Sequence, residues 1–236
     1  MLVLLLSAIL PVAIFLFFIY RKDTEKEPPK LLVKCFLWGC FITLPIILIG
    51  LLFDCFNIFN SAFLDSFYNA FVVAAFVEEG GKFLCLYWLI WKHKEFDQHF
   101  DAIVYAVFVS LGFALVENIL YVFQHGFGIA ISRAILSVPG HGLFGVMMGY
   151  FFALAKFSET AKKQKLLWLS FLVPFLFHGL YDFILFYIEK SSDNIAVLLF
   201  VAFIVVMVFL WRYGIRYIRK HYAKDREDNL INKEIE

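Results

Sequence analysis

Charge is what this sequence has least of. Only 17% of its 236 residues are Asp, Glu, Lys or Arg, and 62% are apolar. A soluble globular domain carries about 25% and about 45–50% respectively. That shortage, with a mean hydropathy of +0.80, excludes a soluble one- or two-domain protein. The four cysteines, Cys35, Cys40, Cys55 and Cys85, include no CxxC pair, so a zinc ribbon and a thioredoxin-like motif are excluded and they read as small packing residues. There is no internal repeat, no soluble segment large enough to fold alone, and nothing that calls for a nucleic-acid partner.

What is present is a series of long apolar runs. A bilayer crossing needs about 20 such residues. Seven segments qualify, at about 2–20, 31–53, 62–91, 100–124, 134–155, 166–188 and 195–211. The first lacks a basic leader and a small-residue cleavage site, and Arg21 and Lys22 follow it directly, so it is expected to remain as an anchor. The expected fold is an all-α, polytopic transmembrane helical bundle with the lipid bilayer as its solvent. Residues 1–218 form one domain, and 219–236 are expected to be a charged, disordered cytoplasmic tail.

Basic residues orient the chain. Of the 21 Lys and Arg, 18 fall in the tail or in the loops after spans 1, 3 and 5. Arg133 and Lys190 fall on the other side, and Lys82 lies within a span. By the positive-inside rule the N-terminus is out and the C-terminus in the cytoplasm. The expected location is the plasma membrane of a bacterial-type cell, crossed several times.

Against this apolar background a few groups stand out. Glu78, Glu79, Lys82, Glu117 and Asp182 lie inside spans, together with His141 and His178. Five unpaired charges at about 2.5–3.5 kcal/mol each would cost roughly 12–17 kcal/mol on insertion scales, as much as a typical domain's whole stability. They are therefore expected to meet around a polar interior site. Spacing agrees. Lys82 follows Glu78 and Glu79 by four and three residues, Phe113 and Glu117 share a face at i, i+4, and so do His178 and Asp182. Ser137, His141, Gly145 and Gly149 step along one side of span 5, and the last two form a GxxxG that permits close packing.

Missing motifs narrow the chemistry. No HExxH, no GxGD and no GxSx nucleophile motif occurs, which removes the site-2-type, aspartyl and rhomboid-like intramembrane proteases. Glutamate and histidine remain, groups suited to activating water directly or on a metal. A proton- or cation-coupled transporter would use the same groups as a relay. It would need polar residues along the whole path, and the cytoplasmic halves of spans 4 to 6 are almost purely apolar.

The residues that carry these groups also resemble a known family. Glu78-Glu79-Gly80-Gly81-Lys82 reads as EExxK, Phe113 to Glu117 as FxxxE, and His178 to Asp182 as HxxxD. In this order, on successive spans, they are similar to the PrsW-type intramembrane proteases, within the superfamily of CAAX-processing and bacteriocin-processing proteases. Glu25-Lys26-Glu27-Pro28 and Pro139-Gly140-His141-Gly142 extend the similarity from about residue 20 to 190.

The resemblance implies a peptidase with Glu78, Glu79 and His178 as catalytic residues, and a membrane-anchored protein as substrate. The family's type member makes the first cut in an anti-sigma factor. Lys82, Glu117, His141 and Asp182 are expected to support the site, Lys82 by keeping one glutamate ionised. Zn2+ is the candidate cofactor, with His141, His178 and Glu117 as candidate ligands, and activation by glutamate alone is the alternative. Counting 1.5 Å per residue, Glu117 and Asp182 fall roughly 7–8 Å, and His141 ~6 Å, beyond the mid-plane on the outer side. A pocket hydrated from outside, with cleavage near the outer membrane boundary, is expected.

Overall fold

The computed structural model describes residues 2–235 and, among them, helix without any strand. Seven helical runs succeed one another. They are α1 (Leu2–Lys22), α2 (Pro29–Asp54), α3 (the continuous Ala62–Tyr68, Asn69–Phe76 and Val77–Ile90), α4 (His99–His125), α5 (Phe127–Ser132, Arg133–Ser137 and Val138–Lys156), α6 (Thr160–Ile188) and α7 (Asp193–Ile235). Six are long and apolar enough to cross a membrane. In α3 the charged trio Glu78, Glu79 and Lys82 lowers the apolarity, while the run keeps a spanning length. The protein is thus a polytopic helical membrane protein, as its composition requires. Its outer surface is a belt of exposed Leu, Ile, Val and Phe, such as Phe17, Leu37, Phe41, Leu48 and Phe200, suited to lipid rather than water.

Local chemistry sets the helix ends. Pro29 opens α2 in the first turn, where its missing N–H costs nothing. A reciprocal capping box between Gln98 and Asp101 opens α4. Gly126, at φ +80°, closes α4 in a conformation that a side chain would resist, and it alone separates α4 from α5. A connection this short makes α4 and α5 an antiparallel hairpin, and these two helices form the buried heart of the bundle. Close crossings hold them there. A Cβ at Gly39 would overlap the Val109 carbonyl, and one at Gly112 would overlap the Phe36 carbonyl, so α2 meets α4 backbone to backbone. Gly149 of the GxxxG approaches the Ala102 carbonyl in the same way.

The basic segments gather at one end. Lys156 Nζ donates to Trp91 O at 2.8 Å, Asn229 Nδ2 to Glu25 Oε1 at 2.9 Å, and Thr24 Oγ1 to Gln98 Oε1 at 3.5 Å. At the opposite end Asp65 accepts from Asn57 at 2.6 Å and pairs with Lys190. Two expectations need correction here. The segment 219–236 was expected to be disordered, yet α7 continues as helix to Ile235; Glu236 lies outside the described residues. The reason is tertiary. Asp225 caps the start of α4, accepting from His99 N at 2.9 Å and Phe100 N at 2.7 Å, and Lys224 pairs with Asp228 at i, i+4. Arg133, expected in an outer loop, is instead buried inside α5.

Candidate active site

Two helices carry an interruption just before their functional side chains. In α3 the turns widen over Asn69–Phe76, immediately ahead of Val77 and Glu78. In α5 they widen over Arg133–Ser137, ahead of His141. Such π-type turns admit an extra residue and re-aim the side chains beyond them, which is why they recur at functional sites.

The re-aimed side chains converge. Lys82 Nζ lies 2.8 Å from Glu79 Oε1, 3.1 Å from Glu78 Oε2 and 3.2 Å from His141 Nδ1. It also sits 4.2 Å over the ring of Phe113, which gives that phenylalanine a role as the apolar cover of an ammonium. His178 Nδ1 lies 2.9 Å from Glu79 Oε1, and its Nε2 lies 3.1 Å from Asp182 Oδ2. His141 Nε2 lies 2.9 Å from Glu117 Oε2. All seven of the ionisable residues singled out in the sequence therefore belong to one connected cluster, and their mutual pairing removes the insertion cost that isolated charges would carry.

Burial within the cluster is graded. The side chains of Glu79 and Lys82 are fully buried, while Glu78, Glu117 and Asp182 keep 13%, 18% and 16% exposure. Above them, toward the end of the bundle away from the basic loops, opens a crevice of about 400 Å3. Its wall includes Ala74, Tyr121 and Phe186, which stand one helical turn beyond Glu78, Glu117 and Asp182 respectively. Toward the other end the core is dry, filled by Leu86, Ile90, Ile103, Val146 and Phe152.

Sequence reasoning missed one member. Arg133 donates Nη2 to Glu117 Oε2 at 2.8 Å and Nε to Asn118 Oδ1 at 3.0 Å. Its only sequence signal was its rarity, as one of two basic residues on the side that should lack them. Glu117, a candidate metal ligand, does not join the inner donors. It is occupied by Arg133 and by the outer nitrogen of His141.

The donor set fits a divalent metal. Glu78, Glu79, His141 and His178 offer four ligand atoms within 4.8 Å of one another, the nitrogen and oxygen mixture that zinc accepts. Glu79 Oε2 is buried with no partner, an orphan acceptor that a cation would satisfy. Both histidines present Nε2 to a carboxylate and turn Nδ1 inward, the arrangement that orients metal-binding imidazoles.

Comparison with known proteins decides the family. The profile of the PrsW family intramembrane metalloprotease matches residues 27–211. A Protease PrsW of Oceanobacillus iheyensis is 37% identical over 232 residues, covering 98% of this chain and all of that protein. Another, of Bacillus subtilis, is 38% identical over 215 residues, covering 91% and 93%. The chain belongs to the PrsW family. It is accordingly an intramembrane peptidase. No solved structure matches it.

Proposed function

We propose that this chain cuts a membrane-anchored protein near its extracytoplasmic boundary, with water activated among Glu78, Glu79, His141 and His178. The observation that carries this reading is the crevice stacked one turn above Glu78, Glu117 and Asp182. It opens at the end of the bundle opposite the basic loops, so an extended segment of substrate would descend to the cluster from outside. The dry core on the other side supports a one-sided pocket over a transmembrane relay. The bacterial relatives support the plasma membrane as its location, and a membrane-anchored regulator such as an anti-sigma factor is the substrate class that the family resemblance implies.

A metal held by Glu79, His141 and His178 would supply Lewis-acid chemistry there, polarising the scissile carbonyl, and would leave Glu78 free as the base. The protein's own groups do the rest. Glu78 is the less buried of the paired glutamates and the one that water reaches. It takes a proton from the attacking water as the new C–O bond forms, then returns that proton to the amide nitrogen as the C–N bond breaks. Glu79 is held from two sides by Lys82 and His178 and fixes the register of the other groups. With no metal bound, a protonated His178 would steady the developing oxyanion in its place.

Co-expression with a panel of tagged single-span membrane proteins tests this. A product should appear with the wild type and vanish with Glu79→Gln, and mass spectrometry of the new terminus should place the cut within a few residues of the outer boundary. A new terminus on the cytoplasmic side would overturn the reading.

A further inference from the structure

Arg133 is drawn into the site by the wide turn that begins with it, eight residues before His141. Its fork has two targets, Glu117 Oε2 at 2.8 Å and Asn118 Oδ1 at 3.0 Å, and its guanidinium carbon lies 4.2 Å over the ring of Tyr121. All three partners lie on one stretch of α4. Asn118 is fixed independently, because its Nδ2 donates to Ala8 O of α1 at 3.0 Å. Its oxygen is thereby left for the arginine. On the far side of Glu117, the same Oε2 that accepts from Arg133 lies 2.9 Å from His141 Nε2.

The proton on His141 is set from both faces. An ionised Glu117 only accepts, so Nε2 must carry the hydrogen. Lys82 only donates, so Nδ1, 3.2 Å from its Nζ, must offer a lone pair. The backbone is held as well, with Ser110 Oγ donating to His141 O at 2.7 Å. What keeps the outer constraint in place is the charge and position of Glu117, and Arg133 supplies both.

We propose that Arg133 is a positioning residue which, through Glu117, grips the Nε2–H of His141 and so holds the ring with its Nδ1 lone pair toward Glu78, Glu79 and His178. This rests on the proposed reading of that cluster as the reacting site. A structural role alone would require only a positive charge against Glu117, which lysine also provides. Positioning requires a rigid planar fork whose separate nitrogens meet Glu117 and Asn118 in fixed directions, which a point charge on a flexible stem does not reproduce. Arginine and lysine therefore separate the two roles.

The experiment uses full-length protein in lipid bilayers with 15N-labelled histidine, the His141 signals being assigned by their loss in His141→Gln. In the wild type, solid-state NMR should find Nε2 protonated and Nδ1 bare. In Arg133→Lys and Arg133→Gln, with Lys82 still keeping Nδ1 bare, the Nε2–H signal should broaden and shift as Glu117 loosens. Zinc affinity, measured with the metal alone, should fall about 10–100-fold, the usual effect of removing an outer partner of a metal-bound histidine. kcat should fall with KM unchanged. Arg133→Lys with the wild-type Nε2–H signal and zinc affinity, whatever its thermal stability, would overturn the proposal. Should neither variant insert, a wild-type His141 protonated on Nδ1 overturns it unaided. A wild type that shows the expected tautomer yet cleaves no substrate would instead count against the protease reading, so the two failures are distinct.

Discussion

His178 Nδ1 lies 2.9 Å from Glu79 Oε1, across 99 residues of chain. Both atoms are ordinarily acceptors once Asp182 has taken the Nε2 hydrogen, so a single proton is shared between them. Replacing Glu79 by Gln removes the anion that shares it and the counter-charge of Lys82. On the proposed mechanism, replacing Glu78 by Gln removes the group that would receive water's proton, a function worth about 10²–10⁴ in rate. Both variants should still insert, since a neutral amide costs less to bury than a carboxylate. Immunoblots of membrane fractions should therefore show normal protein and product lowered by at least about a hundredfold. Full activity in both variants would remove these glutamates from the chemistry.

The same geometry makes a statement about metal. Protein purified in a mild detergent should bind zinc at one ion per chain, and His178→Ala and His141→Ala should abolish that binding. Asp182→Asn should weaken it about 10–100-fold without abolishing it, because Asp182 orients a ligand and is not one. Because the shared proton must leave, binding should release protons, detectable by titration in buffers of different ionisation enthalpy. Undiminished cleavage by chain stripped of metal would leave water activation to glutamate alone.

On the proposed reading, water enters the crevice from outside the cell. On a background with Cys35, Cys40, Cys55 and Cys85 replaced, Asn69→Cys and Glu189→Cys on its wall should react with an impermeant thiol reagent added outside the cell. Lys94→Cys, in the loop after α3, should react only once the membrane is opened. Labelling of Val73→Cys should also block cleavage, since the adduct would occupy the substrate's path. The reverse labelling pattern would invert the topology and withdraw the route.

Much of this was legible because the informative pairs are local. Glu78–Lys82, Phe113–Glu117 and His178–Asp182 are all i, i+4, so sequence spacing already put each pair on one helical face. What joins the helices was not legible. That His178 meets Glu79, and His141 meets Glu117, depends on crossings set by Gly39, Gly112 and Gly149 and on turns widened by one residue. Arg133 was misread for the same reason: a charge at the edge of a span looks like a loop until the backbone winds it inward. The tail was misread because its order comes from Asp225 capping a helix 125 residues earlier in the chain, which no local pattern records.

The end of the bundle that carries the basic loops yields a prediction with a definite sign in pH. Glu27 precedes α2 in the turn before Pro28 and Pro29, and it is 5% exposed and hydrogen-bonded by the Tyr105 hydroxyl. Burial, and then the nearby Asp101 carboxylate, push its pKa up from 4.5 to about 10. Asp101 Oδ1 has no other donor, so a proton held between the two carboxyls satisfies both. Asp23, buried beside them and accepting from Glu27 N at 3.3 Å, is likewise raised from 3.8 to about 6, chiefly by burial. A raised carboxyl favours the protonated folded state. Its stabilisation is full below about pH 4.5 and is lost as pH climbs toward the folded value, with Asp23 adding its share between about 4 and 6. Thermal unfolding in detergent should therefore occur at a lower temperature at pH 8 than at pH 5. Glu27→Gln imitates the protonated carboxyl, so it should raise the midpoint at pH 8 and leave it unchanged at pH 4.5, with cleavage unaffected because the reacting cluster lies across the apolar core. A Gln variant less stable than wild type at pH 8 would mean that Glu27 is buried as an anion with a partner of its own.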